Sequence, residues 1–399
     1  MSFPPKIASL ALCVTFAAAL GVAAVTQAQG QTFSVLYSFT GGSDGANPLS
    51  GFIIDQAGNL YGTTNGGGSY GYGVVFQLSP TGQETILHTF AGGTDGEYPQ
   101  GRLVRDAQGN VYGTTNGGGV YRNGTVFKVN SKGQETVLYS FAGNEDGANP
   151  VAGLTFDKLG NLYGTTTAGG ASGNGTVFEL AKGTGGTWIE ELLYSFGPSP
   201  DGADPVAGVT FDNSGNLYGT TAGGGTNGYG TVFQLVPSGS AWTENILHQF
   251  ELGNDGGVPY AGLVYYANSF YGAATDGGPS NGGGGTVFEM KEVAGVWKFQ
   301  VIYGLPGWGI SGSFRNILVA SGTKIYATTH CDGANNAGTV YELTRVNGTW
   351  TYNSLYVFTG GSDGLYSFSN LINDKQGNLY GTTNRGGNNG AGVVFKVAM

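Results

Sequence analysis

Short apolar segments run along the chain from residue 33 to residue 397, separated by clusters of Gly, Asn and Asp. No window sustains the three-to-four-residue apolar spacing of a helix, so the segments predict strands. The string Leu60-Tyr61-Gly62-Thr63-Thr64 returns with small changes at Val111, Leu162, Leu217, Phe270, Ile325 and Leu379, at intervals of 51 to 55 residues. Each copy carries four such segments. In the second copy they are residues 103–104 (strand A), 111–115 (B), 124–129 (C) and 135–141 (D), rich in β-branched and aromatic residues. Asp106-Ala107-Gln108-Gly109 supplies the turn between A and B.

Four antiparallel strands in a unit of about 50 residues make a propeller blade. Seven copies predict an all-β, seven-bladed β-propeller over residues 29–399. The ends of the pattern bear on how the ring closes. Residues 33–39 read as a strand D with no A, B or C before it, and residues 393–397 as a strand C with no D after it. The N-terminal strand is therefore expected to complete the last blade, which removes an open sheet edge.

The repeated LYSF, DG-x-NP, GNLYGTT and GTVF strings resemble the GloVer tandem-repeat family of secreted bacterial proteins, also called choice-of-anchor repeat proteins, over residues 32–399. That resemblance implies an extracellular repeat protein and carries no catalytic residues with it. Members often end in an anchoring segment. Here Met399 follows the last strand by two residues, which suggests a soluble rather than an anchored protein.

Composition adds a compartment. Lys6, the apolar run 7–25 and Thr26-Gln27-Ala28 read as a secretory signal peptide, residues 1–28. The protein is expected to be secreted, either extracellular or periplasmic, without membrane insertion once the signal is removed. Loss of Lys6 leaves 15 Lys and Arg against 26 Asp and Glu, a balance that excludes nucleic acid as a partner. Cys331 is then the single cysteine, so stability rests on packing, and a monomer is expected.

Strand parity places the loops after D and after B on one rim and those after A and C on the other. Asp44, Asp95, Asp146, Asp201, Asp255 and Asp363, each followed by Gly, share the first rim. They read as turn residues; the alternative is a site for a divalent cation or a polyhydroxylated ligand. A scaffold residue should recur in every repeat, whereas a site residue should appear once. By that rule blade 6 stands out, and Trp308, Arg315, His330 and Asp332 are candidate ligand-binding residues. His88 and His248 occupy strand D positions and read as structural. No ligand-like histidine spacing appears, so no metal ligands and no cofactor are expected.

Trp188, Trp242, Trp297 and Trp350 recur near the C-to-D hairpins of blades 3 to 6. They form either a stacking platform or aromatic cross-strand pairs. Arg102 falls at a strand A position read as apolar elsewhere (Phe52, Leu154, Val209, Leu263, Ile317, Leu371), facing the channel or paired with a carboxylate such as Asp106. No triad, zinc spacing or phosphate loop is present. The expected function is an extracellular binding or scaffold module for a polysaccharide or a protein partner. The alternative is a propeller-type glycosidase or lyase, which would need carboxylates converging at the channel mouth.

Overall fold

The computed structural model describes residues 31–239, 241–279, 283–305 and 318–399. Residues 1–28, read from the sequence as a signal peptide, lie outside the described residues, as do Trp308 and Arg315. The repeat folds as the spacing predicts. Seven antiparallel sheets each place strands in the order A-B-C-D. Blade 1 is Ile53–Ile54, Leu60–Thr64, Val74–Leu78 and Glu84–Thr89. In blade 2 a short extra strand, Glu97–Pro99, also pairs with strand B. The N-terminal strand Thr32–Ser38 lies antiparallel to Val393–Ala398, with Thr32 opposite Ala398 and Ser38 opposite Val393, and so completes blade 7. Among the described residues the helical content is two 3-10 turns, Gly93–Asp95 and Thr184–Gly186, and no helix is long and apolar enough to cross a membrane.

Burial follows position in the blade. Strands B are almost wholly buried, whereas strands D line the outside and alternate between exposed and half-buried residues. Seven apolar clusters fill the seven seams, one between each pair of neighbouring blades. Each seam is centred on an aromatic of strand C. Phe76, Phe127, Phe178, Phe233, Phe288 and Phe395 are fully buried and meet edge-on the Phe that ends the preceding strand D. The central Gly of LYGTT makes room for that ring. A Cβ on Gly219 would sit 2.5 Å from Cζ of Phe233, and one on Gly272 2.4 Å from Cζ of Phe288. In blade 6 both partners change together, to Ala327 and Tyr341.

Every strand D carries a bulge that drops one residue out of the ladder, as between Val35 and Tyr37 or between Val137 and Tyr139. A bulge re-aims the side chain that follows it. Here the residue that follows is the Tyr or His of the LYSF string, and its polar tip meets the loop into the next blade.

Candidate functional site

The loops after D and after B share a rim, as parity requires; Ala46 and Gly66 bridge, as do Ala148 and Ala168. On that rim the six Asp residues have a defined structural role. Asp44, Asp95, Asp146, Asp201, Asp255 and Asp363 each accept a hydrogen bond from the backbone N–H four residues earlier, at 2.6 to 3.0 Å. Each also binds the tip of the preceding strand D residue: Tyr37, His88, Tyr139, Tyr194, His248 and Tyr356 respectively.

A third residue enters this contact from the next blade. In four seams it is a carboxyl, from Glu84, Glu135, Glu190 or Glu244, and burial pushes each of these up to about 7. The other three seams put a ring there. Phe299 stacks on His248 at 3.7 Å, Phe33 on Tyr356 at 3.7 Å, and Tyr352 lies 6.0 Å from Tyr303. At the first seam Tyr37 Oη stands 3.1 Å from Asp44 and 3.0 Å from Glu84. Burial, and then the charge of Asp44, raise the Glu84 pKa against the lowering effect of the hydrogen bond from Tyr37.

The other rim is built on the Asp-x-x-Gly-Asn turns. Asp106 accepts from Asn110 through its backbone N–H and its side chain, and from Tyr112 Oη. Asp55, Asp157, Asp212 and Asp374 repeat the arrangement. Burial would raise Asp55, Asp106 and Asp374, but these donors outweigh it and hold all three below the ordinary carboxyl value.

The innermost strands surround a channel of about 750 Å³. Its described lining divides about evenly between apolar and polar surface, with Gln100, Thr155, Thr210, Tyr260 and Asn370 among the polar residues and Arg102 as its single charged side chain. Arg102 does not stand where Phe52 and Leu154 do. Pairing of Val104 with Tyr112 and of Ile53 with Tyr61 shifts the register by one residue. Leu103 fills the apolar core position, and Arg102 replaces Gly51, Gly153, Gly208, Gly262 or Asn370 of other blades. Strand A is only two residues long, Ile53–Ile54 in blade 1 and Val104–Arg105 in blade 2, so its apolar pattern is too short to set the register.

Glycine at that position has a reason. A Cβ on Gly51 would lie 2.3 Å from the Asn370 carbonyl oxygen, and one on Gly208 2.5 Å from that of Gly153. Arg102 nevertheless occupies it, with Nε donating to the Phe52 carbonyl at 3.0 Å. Its side chain is exposed to the lumen yet surrounded by protein, and burial pushes its pKa down. Among the described residues no carboxylate pairs with it, Asp106 included, and the stretches outside them contain no Asp or Glu.

The structure places His330 and Asp332 against different neighbours. The His330 ring packs on Tyr366 at 4.3 Å and on Phe368 at 4.1 Å, its Nδ1 is buried without a hydrogen-bond partner, and burial lowers its pKa to about 4. Asp332 accepts from Thr329 within its own blade, and burial raises its pKa.

The four tryptophans are half-buried and wedge into the seams. Trp188 meets Tyr112 edge-on at 6.2 Å, and Trp297 meets Tyr218 at 5.5 Å. Trp242 and Trp350 pack on the clusters containing Tyr163 and Tyr271. Their cross-strand partners are Lys182, Pro237, Glu292 and Arg345, so the aromatic cross-strand pair does not form. The aromatic partner is instead the strand B Tyr of the preceding blade.

Seven four-stranded blades around a channel define a β-propeller repeat protein. The Gloeobacter/Verrucomicrobia repeat matches residues 19–211, 144–313 and 211–399, and the chain belongs to that family. No curated protein matches the chain in sequence. Among solved structures it is similar to "the extracellular domain of the putative hybrid two component system" from B. thetaiotaomicron, with a TM-score of 0.61 at 10% identity over 91% of this chain. A second structure, described as the extracellular domain of a "putative one component system" from the same organism, gives 0.58, also at 10% identity over 91% of this chain. The chain spans 39% of the length of each. At that identity the likeness is one of fold.

Proposed function

We propose that this protein is a secreted binding module whose central channel receives an anionic, carboxylate-bearing segment of an extracellular polysaccharide. The observation that carries the reading is Arg102. It is a cation without a carboxylate partner, in the channel wall, at a position where other blades keep Gly or Asn. Exposed to the lumen and without a carboxylate partner, its guanidinium fork is free to take a ligand carboxylate in bidentate fashion. The apolar part of the wall around it suits the face of a sugar ring, with hydroxyls meeting Gln100, Thr155 and Asn370. An extracellular setting agrees with the leader-like segment and with the extracellular domains that share the fold. The described lining carries no Asp or Glu, so a two-carboxylate glycosidase has no catalytic pair there.

The test is calorimetric titration with oligogalacturonates and with neutral oligosaccharides of equal length, on the wild type and on Arg102→Gly. The variant installs the residue found in blades 1, 3, 4 and 5, so the fold should tolerate it. The acidic oligomer should bind, and binding should weaken with salt. Arg102→Gly should weaken it by roughly 10- to 100-fold, the range of a charged hydrogen-bond pair. Equal binding of acidic and neutral oligomers, or an unchanged variant, overturns the reading.

A further inference from the structure

We propose that His88, Asp95 and Glu135, at the seam between blades 1 and 2, bind a divalent transition cation of the zinc class and clamp the two blades together. One donor atom from each residue lies within 4.8 Å of the other two. His88 Nε2 is already 2.9 Å from Asp95 Oδ1. Donor atoms on a tetrahedron with arms of about 2.0–2.2 Å stand about 3.4 Å apart. The glutamate has only to close by a rotamer-scale movement.

The three residues are held for the purpose by different elements. His88 follows the strand D bulge of blade 1, and Phe90 meets its ring edge-on at 4.8 Å. Asp95 ends a 3-10 turn in the connection to blade 2 and commits its other oxygen, Oδ2, to the Ala91 N–H at 2.6 Å. Glu135 opens strand D of blade 2, and its Oε1, like those of Glu84, Glu190 and Glu244 at their seams, is buried without a hydrogen-bond partner, so it is the imidazole of His88 that sets this seam apart. A second acid beside Asp95 with a buried, unpartnered oxygen is a charge arrangement that a cation relieves. Burial, and then the charge of Asp95, raise the Glu135 pKa.

The other seams serve as internal controls. Three of them place Tyr37, Tyr139 or Tyr194 where His88 stands, each beside an Asp and a Glu. A phenol donates its proton there but is a poor ligand for the ion. The seam with His248 and Asp255 has Phe299 in place of the glutamate. Among the described residues, imidazole and two carboxyls coincide only at blades 1 and 2. One nitrogen and two carboxylate oxygens suit zinc, whereas calcium requires six to eight oxygen ligands. No catalysis is implied. The site does not involve the channel and stands apart from the binding reading.

Tag-free protein, stripped with a chelator, should be melted with zinc, calcium or magnesium added singly, and zinc binding measured by calorimetry. Zinc should raise the midpoint by several degrees, and the same concentration of calcium or magnesium should not. His88→Tyr, which installs the residue of blades 2 and 3, should abolish the shift and weaken zinc binding by at least tenfold. Glu135→Gln should do likewise, and His248→Tyr should leave the zinc shift intact. A wild type indifferent to zinc overturns the proposal. So does a zinc shift that survives in both His88→Tyr and Glu135→Gln, which would place the ion elsewhere, for example near Cys331.

Discussion

Glu84, Glu135, Glu190 and Glu244 are raised by burial from 4.5 to about 7, and the raised value makes the ring sensitive to pH. Between about pH 4.5 and 7 the native ring binds more protons than the unfolded chain, so stability falls as pH rises through that window. Asp55, Asp106 and Asp374 act in the opposite sense. Their depressed values contribute stability above the ordinary carboxyl range, and it is lost as pH falls through the folded values. Maximum thermal stability is therefore expected near pH 4 to 5, without added metal. Solvent screening at these half-exposed seams reduces each glutamate's share to about 1 kcal/mol. Glu190→Gln does not titrate, so its melting point should fall less than that of the wild type between pH 5 and pH 8. An equal fall in both proteins would show that Glu190 keeps an ordinary pKa.

At the scale of the strand, the pairing of B with C is a steric match between Gly and Phe. Gly219→Ala drives a methyl against the buried Phe233 ring and should cost about 1–3 kcal/mol, the range for overpacking. Ala327→Gly in blade 6, where Tyr341 replaces the Phe, should cost about 1–2 kcal/mol, from chain entropy and the buried methyl it removes. Thermal melts should rank Gly219→Ala below Ala327→Gly, and the reverse order would mean that the seam yields around the added methyl. The strands, their order and the rims were legible because seven copies average out local ambiguity. The one-residue slip at Arg102 came from a strand too short to set its own register, where the turn Asp106 to Asn110 is the better anchor. The seam contacts escaped for a different reason. Their partners sit on neighbouring blades, 47 residues apart for Tyr37 and Glu84, so no local motif joins them. The signal was a column across the repeats, Glu84, Glu135, Glu190, Glu244, Phe299, Tyr352 and Phe33, read against the Tyr or His of the preceding copy. Residues that appear once point instead to blade 6, whose His330 packs on Tyr366 and Phe368.

At the scale of the ring, closure rests on one non-covalent strand, and the described residues contain a single cysteine, Cys331, far from it in sequence. Thr32–Ser38 supplies the outer edge of blade 7 and packs into two seams at once. Phe33 stacks on Tyr356, while Leu36 and Tyr37 lie against the cluster shared by blades 7 and 1. These three side chains are half-buried, and their burial contributes about 1 kcal/mol each, below the full-burial range. The total is a sizeable part of the 5–15 kcal/mol by which a folded domain typically exceeds its unfolded state. Deleting residues 31–38 also bares the ladder of Val393–Ala398, and an open, apolar edge recruits other chains. The truncated protein should therefore melt far below the full ring and elute as oligomers in size-exclusion chromatography. A synthetic peptide of residues 31–40 added in excess should restore the elution volume of the full ring by strand addition. A peptide with Phe33 and Leu36 replaced by Ser should not, because backbone pairing alone leaves both seams unfilled. If the truncated chain elutes and melts like the parent, the seven seams hold the ring without the closing strand, and closure contributes little to stability.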